Sequence, residues 1–443
     1  MKVTFIMPCV GKKPGVPYVK TWQMEPLAFA VLSALTPPGV EKAFADDRLE
    51  EIPYDDPTDL VALNTETYTA KRAYQIAGEY RRRGVPVVMG GFHATLMPDE
   101  AAEHADAVIV GAAESVWARV IDDARHNRLS RRYSEEGNGF SSTMPDRSIY
   151  QDKRYTKVAL IETGRGCRYS CNFCSISQFF KRQYYPRDVD LVLEEIRQNP
   201  AMLYFFIDDN VAVDRAHTKE LLTALIPLKI RWVGQVSIDI ARNEELLDLM
   251  RRSGCMGVLI GFESLNHENL KSMGKGVNAV LNEYETALAT IRRHHLAIYA
   301  TFLFGYDFDT IETFRDTLEF AIRHKFFFTA FNHVVPFPGT PLYDTLENEG
   351  RLLYPRWWLN DDYTFGQVAF KPANFGPAEL AETCLEYRRK FYSVRSIAKR
   401  GLDVEVNSRG ILRSLIFWVE NIVSRGDVDL RQGLPLGLVT ERA

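Results

Sequence analysis

Short apolar runs, each closed by glycine, proline or an acidic residue, alternate with segments whose apolar positions recur every three or four residues. In residues 1–128 the runs include Val3-Thr4-Phe5-Ile6-Met7, residues 40–45, Leu60-Val61-Ala62-Leu63, Val87-Val88-Met89 and Ala107-Val108-Ile109-Val110. They are continuous rather than alternating, the pattern of strands buried on both faces. Between them, residues 26–35 read as a helix with Pro26 in its first turn. Ala73, Ile76, Ala77 and Tyr80 form one face of another, which ends at Gly84. Strand and helix in alternation predict a doubly wound parallel, Rossmann-like sheet. Such a sheet takes ligands at the carboxyl ends of its strands, and His93, in Gly90-Gly91-Phe92-His93-Ala94-Thr95, is the polar candidate there. No G-x-G-x-x-G follows the first strand, so a dinucleotide site is not indicated.

Residues 129–154 are polar, with Gly137-Asn138-Gly139 and Pro145-Asp146, and read as a surface linker. Residues 155–345 then repeat a strand–helix unit six times. The strands end at Thr163, Ile207, Ser237, Ser264, Gly305 and Val335. Six units predict a partial β/α barrel, in which chemistry gathers at strand carboxyl ends. The polar residues there are Asp208-Asp209-Asn210 after strand two, Gln235 and Ser237 on strand three, and Glu263-Ser264 after strand four. Carboxylates at such places also serve as helix caps. Residues 346–443 read as mainly helical. Leu380, Cys384, Tyr387, Phe391 and Val394 share a face, and residues 411–423 form a second amphipathic helix. Trp357, Trp358, Tyr363, Phe365 and Phe370 precede them, either as a lid over the barrel or as an apolar seam between domains.

Charge narrows the partners. A net charge of −4 offers no footprint for nucleic acid. No run of about 18 uninterrupted apolar residues occurs, so no membrane span is expected. Six cysteines in 443 residues, three of them clustered, do not make a disulfide framework; together with an amino terminus too short for a signal peptide they point to a reducing cytoplasm.

The three clustered cysteines carry the chemistry. Gly164-Arg165-Gly166-Cys167-Arg168-Tyr169-Ser170-Cys171-Asn172-Phe173-Cys174 follows the first strand of the barrel. Three thiols at C-x-x-x-C-x-x-C spacing on a glycine-loosened loop can converge on one small object. A cubane iron–sulfur cluster fits, with three irons held and the fourth open. Structural zinc wants a fourth ligand nearby, and the next cysteine is Cys255 in another segment. Buried structural thiols would not be interleaved with Arg168, Ser170 and Asn172.

The spacing, with Phe173 before the last cysteine, resembles the radical S-adenosylmethionine superfamily. The resemblance implies a [4Fe-4S] cluster on Cys167, Cys171 and Cys174, S-adenosylmethionine on the open iron, and reductive cleavage of a carbon–sulfur bond. It also implies cofactor contacts by Phe173, by Asp208, Asp209 and Asn210 with the amino group, by Gln235 and Ser237, and by Glu263 and Ser264. Lys275 resembles the lysine that follows strand four in that family. Residues 1–128 resemble the cobalamin-binding domain that precedes many such cores. Two departures stand out: the cobalt-ligating D-x-H-x-x-G is absent, and Gly111-Ala112-Ala113-Glu114 stands where relatives carry Gly-Glu-x-Glu.

The expected function is transfer of a carbon group, a methyl with cobalamin, to a small molecule, with an electron from a flavodoxin or ferredoxin. One alternative is cobalamin-independent transfer of a 3-amino-3-carboxypropyl group to a soft acceptor such as arsenite, motivated by Cys9 and Cys255. The other is a non-catalytic iron–sulfur or cobalamin sensor.

Overall fold

The structure, a computed structural model, describes residues 1–134, 143–276 and 284–438. Two parallel six-stranded sheets organise it. The first comprises β1 (Lys2–Met7), β2 (Glu41–Asp46), β3 (Leu60–Asn64), β4 (Val87–Gly90), β5 (Ala107–Ile109) and β6 (Arg132–Tyr133), in the order β2-β1-β3-β4-β5-β6. The chain leaves β1 for one neighbour and returns to the other, which opens a crevice at the carboxyl ends of β1 and β3. Helices pack on both faces. Ile6, Val61, Leu63 and Met89 enter one core, and Val3, Phe5, Ala62 and Val88 the other.

The second sheet is built from β7 (Ala159–Ile161), β10 (Tyr204–Phe206), β11 (Trp232–Val236), β12 (Cys255–Glu263), β13 (Ala297–Phe304) and β14 (Phe328–His333). Its order β14-β13-β12-β11-β10-β7 leaves β14 and β7 as unpaired edges, so the barrel is partial. A small antiparallel ribbon, β8 (Gly164–Gly166) with β9 (Tyr184–Pro186), frames the cysteine loop. Alternate residues of this sheet differ in exposure. Val258, Ile260, Phe262, Ala300, Phe302 and Phe304 are buried beneath the outer helices. Val233, Gln235, Leu259, Gly261, Tyr299, Thr301 and Leu303, on the other face, are only half-buried. The concave face therefore stays open.

Two readings of the sequence change. Residues 129–154 are not merely a surface linker. Arg132–Tyr133 adds a sixth strand beside β5, and Tyr150 packs edge-on against Phe44 with centroids 4.9 Å apart. Arg147 bonds Glu25 at 2.7 Å, the Leu160 carbonyl at 2.8 Å and Glu195 at 2.8 Å, tying the first domain to the second sheet. Gly137-Asn138-Gly139 and Ser141-Ser142 lie outside the described residues. The aromatic stretch is a seam rather than a lid: Trp357, Trp358 and Tyr363 sit in the same core as Ile6 and Leu63 of the first sheet, while Phe370 joins the core of the second. The last helix extends further than its apolar pattern, over Ile411–Leu430.

Trp358 is fully buried, and its indole N–H donates to Glu100 at 2.9 Å. Trp358→Ala empties that seam and should cost about 3–5 kcal/mol. The measurement is the urea midpoint, expected to fall clearly; an unchanged midpoint would mean the seam does not hold the two units together.

Candidate active site

The cysteine loop leaves β7 through Glu162-Thr163 and turns at Gly166, whose φ is +86°. A Cβ there would lie 2.3 Å from the Gln183 carbonyl, so the ribbon requires glycine. Two adjacent carboxylates from the tip of β10 hold the turn. Asp208 accepts from the Thr163 N–H and hydroxyl, both at 2.7 Å, and Asp209 accepts from the Gly166 N–H at 3.0 Å. Burial pushes Asp208 up to about 8 and Asp209 up to about 6.

The three thiols share one electrostatic space. Cys171 feels Cys174 and Cys167, and Cys167 feels Cys174. Burial raises all three, Cys171 to about 11, so they are neutral thiols until a metal displaces their protons. Among the described residues no three His, Cys, Asp or Glu side chains close on a single metal ion. Three mutually interacting thiols, all soft donors, suit a multi-iron cluster.

Opposite charges flank them. Asp209 acts on Cys167 and Cys174 from one side. On the other, the Lys275 ammonium acts on all three thiols and pairs with Glu263 at 2.5 Å. Burial opposes the Lys275 charge, but Glu263 and Cys171 outweigh it and hold its pKa above the usual lysine range. Lys275 also lies 6.0 Å from the Phe173 ring centre. Glu263 adopts φ +63°, at an irregularity in the β12–β13 register, a strained backbone for a residue with a side chain. Gly261 makes room: a Cβ there would lie 2.2 Å from Glu263 Oε1 and 2.8 Å from Lys275 Nζ.

Not every expected residue faces this space. Asp208 spends both oxygens on Thr163. Asn210 donates to the Ser237 hydroxyl at 2.9 Å and accepts from the Ala212 N–H, so this pair stiffens the strand tips. Ser264 accepts from the Asn266 N–H and closes a turn. Gln235 is half-buried on the concave face. His93 is corrected most sharply. It is fully buried, with Nδ1 3.2 Å from Thr67 Oγ1 and Nε2 3.1 Å from Glu100 Oε1, so no ring nitrogen is left for a cofactor.

Sequence reasoning missed the residues that join the site to its surroundings. Asn172, between two cysteines, donates to the Met273 and Ser272 carbonyls, and its own carbonyl accepts from Leu342. Its side-chain oxygen accepts from the Tyr306 hydroxyl at 2.8 Å. Buried Asp309 caps the turn after β13 through Gly305, Tyr306 and Asn269. Its place just beyond a strand end was the available signal. Arg165, between two glycines, bonds Glu162 and reaches Glu114 of the first domain at 2.8 Å. Phe92 meets Phe179 nearby, with centroids 4.5 Å apart. The cysteine loop thus abuts the carboxyl ends of the first sheet.

The family model of the radical SAM superfamily matches residues 161–321. Bacteriochlorophyllide d C-12(1)-methyltransferase of Chlorobaculum tepidum is 32% identical over 389 residues, covering 85% of this chain and 84% of that protein. The chain belongs to the radical SAM superfamily. Another relative of this radical SAM protein, bacteriochlorophyllide d C-8(2)-methyltransferase of the same organism, is 29% identical over 398 residues, 85% of this chain and 87% of that one. The fold is that of TsrM from Kitasatospora setae, solved with cobalamin and a [4Fe-4S] cluster: TM-score 0.64 at 17% identity, over 97% of this chain and 98% of that one. OxsB, solved with aqua-cobalamin and S-adenosylmethionine, gives 0.66 at 14% identity over 96% and 72%.

Two outcomes test how this radical SAM site is held. Lys275→Met strands the Glu263 carboxylate and should cost about 3–5 kcal/mol, much of it recovered in Lys275→Met/Glu263→Gln; urea unfolding of both variants checks it. Asp208 is protonated in the folded chain across a range where the unfolded carboxyl, at its ordinary value of 3.8, has ionised. Its contribution is full below that value and declines as pH rises toward about 8. Asp208→Asn should flatten the fall in denaturant midpoint over that window; an unaltered slope would place the titration elsewhere.

Proposed function

We propose that this radical SAM protein transfers a methyl group to a small, largely apolar acceptor of the tetrapyrrole class, using a [4Fe-4S] cluster, S-adenosylmethionine and cobalamin. The observation that carries the reading is the pair of opposite charges beside the three thiols. Cys167, Cys171 and Cys174 are the ligands for three irons. Asp209 suits the ammonium of the methionine moiety, and Lys275, oriented by Glu263, suits its carboxylate. Gln235 lies on the strand between, toward the adenosine, with Ser237 just beyond it held by Asn210, and Phe173 covers the loop beside Lys275. When bound, the cluster supplies an electron to the sulfonium and the corrinoid carries the methyl group. The chain's own task is to orient the sulfonium and keep water out. A flavodoxin or ferredoxin is the natural source of the electron.

For cobalamin, the carboxyl ends of the first sheet present a bare Gly111, with open space where a Cβ would stand, and a buried Thr65 hydroxyl with no partner. Burial raises Glu66, beside Thr65, to about 7, so this wall is close to neutral. These features suit a corrinoid that receives no imidazole from His93. The acceptor class follows from the similarity to the two bacteriochlorophyllide methyltransferases and from the apolar lining of the concave face by Val233, Leu259, Leu303 and Phe328. The arsenite alternative loses its motive. Cys255 begins β12, at the opposite end from the thiol loop, and Cys9 is buried against Asp47 with its pKa raised. All six cysteines are free, which fits a reducing cytoplasm. Among the described residues no helix is long and apolar enough to cross a membrane.

The test is mass spectrometry of products after anaerobic cluster reconstitution, reduction and addition of S-adenosylmethionine with a chlorin acceptor, with and without cobalamin. Methylated chlorin, 5′-deoxyadenosine and S-adenosylhomocysteine, dependent on cobalamin, are expected. Methylthioadenosine would overturn methyl transfer in favour of aminocarboxypropyl transfer.

A further inference from the structure

At the open edge of the second sheet, no carboxylate among the described residues comes closer than 4.0 Å to the charge of Arg388 or Arg431. Arg388, on the helix Pro377–Phe391, reaches round the free edge of β14. Its Nη2 donates to the Phe331 carbonyl at 2.8 Å and to Asn332 Oδ1 at 2.6 Å. Asn332 is the register partner of Leu303, so it belongs to the concave face. The rest of the Arg388 fork makes no hydrogen bond among the described residues. The side chains that act most on its charge are Cys384, Arg431, Tyr299 and Tyr392, none of them a carboxylate, and Arg431 repels it.

Arg431 directly follows the last helix. It donates to the Thr21 hydroxyl at 2.7 Å and lies 5.5 Å over the Trp22 ring. Its one carboxylate neighbour among the described residues, Asp427, is 4.0 Å away and already accepts from Thr21. Its Nε is buried with no partner. On the concave face of β13 the Tyr299 hydroxyl has no hydrogen-bond partner among the described residues, and both guanidinium charges act on it. Arg388, Arg431 and Tyr299 are all half-buried, and two like charges beside a free hydroxyl gain from an anion that joins them. Guanidinium forks pair with carboxylates in a bidentate way that ammonium groups cannot match.

We propose that Arg388, Arg431 and Tyr299 form the anchoring end of the acceptor pocket and receive a carboxylate carried by an otherwise apolar acceptor. This rests on the group-transfer reading above and narrows its acceptor to an acid. The anchor is remote from the chemistry. Tyr299 precedes the end of β13 by five residues, on the order of 15 Å at about 3.3 Å per residue, while the thiols sit beyond the strand ends. The acceptor must therefore bridge that span, as a wide flat macrocycle with an acidic side chain does.

The experiment compares a chlorin bearing one free propionic acid with its methyl ester, titrated into the reconstituted full-length protein and followed by chlorin absorption and tryptophan fluorescence. In the wild type the acid should bind about tenfold or more tightly than the ester. Arg388→Gln should bring the two affinities within about twofold of each other by weakening the acid alone. Arg431→Gln and Tyr299→Phe should narrow the gap in the same sense, and they decide the matter if Arg388→Gln fails to fold; the cluster's visible absorption reports folding. Equal affinities in the wild type, or a gap that survives all the folded variants, overturn the anchor while leaving methyl transfer standing. If neither chlorin binds, the tetrapyrrole reading falls, and the occupant proposed for this anchor falls with it.

Discussion

Everything at the candidate active site depends on how a loop of three cysteines is fixed to the end of a strand. Loops with bare glycines are mobile unless something gives their backbone a partner. Here two adjacent carboxylates at the tip of β10 take the Thr163 and Gly166 N–H groups, and a third polar group, Asn172, stitches the middle of the loop to segments that follow β12, β13 and β14. The barrel is incomplete, so no ring of strands enforces its curvature. These polar ties between successive strand ends do part of that work, at the place where the thiols must converge.

The same region also fixes charge. A buried acid next to a thiol cluster would repel a bound sulfonium's carboxylate, and a buried lysine would repel its ammonium. Placing Asp209 and the Lys275–Glu263 pair on separate sides avoids both conflicts. The strain at Glu263 and the absence of a side chain at Gly261 are two halves of one arrangement, since the ion pair occupies the volume that an alanine would fill.

Much of this was legible in the sequence. The strand–helix rhythm specified both parallel sheets, because buried strands leave continuous apolar runs, and the cysteine spacing specified the chemistry, because few other objects need three thiols so close. What stayed hidden depends on partners remote in the chain. Asp208, Asp209 and Asn210 look alike at the end of a strand, yet only their neighbours separate the two that brace the tips from the one that faces the thiols. His93 was the polar candidate at the strand ends, but Thr67 and Glu100 consume both its nitrogens. Arg132–Tyr133 is too short and polar to read as a strand, and is one because β5 offers it an edge. Trp357 and Trp358 could have covered either domain; their burial against Ile6 and Leu63 is a fact of tertiary packing.

The unpaired edges of the second sheet decide how its flank is closed. From above, the concave face is capped by the first domain, which is bound down by Arg147, by the Arg165–Glu114 bridge and by the tryptophan seam. Separating the two units at every turnover would break all three. Between β14 and β7 no strand lies among the described residues. Across that gap the loop before the first helix meets the last helix through Thr21 and Asp427, and meets the segment before β7 through Gln23 and Thr156, so the flank is shut by a few polar contacts rather than by strands.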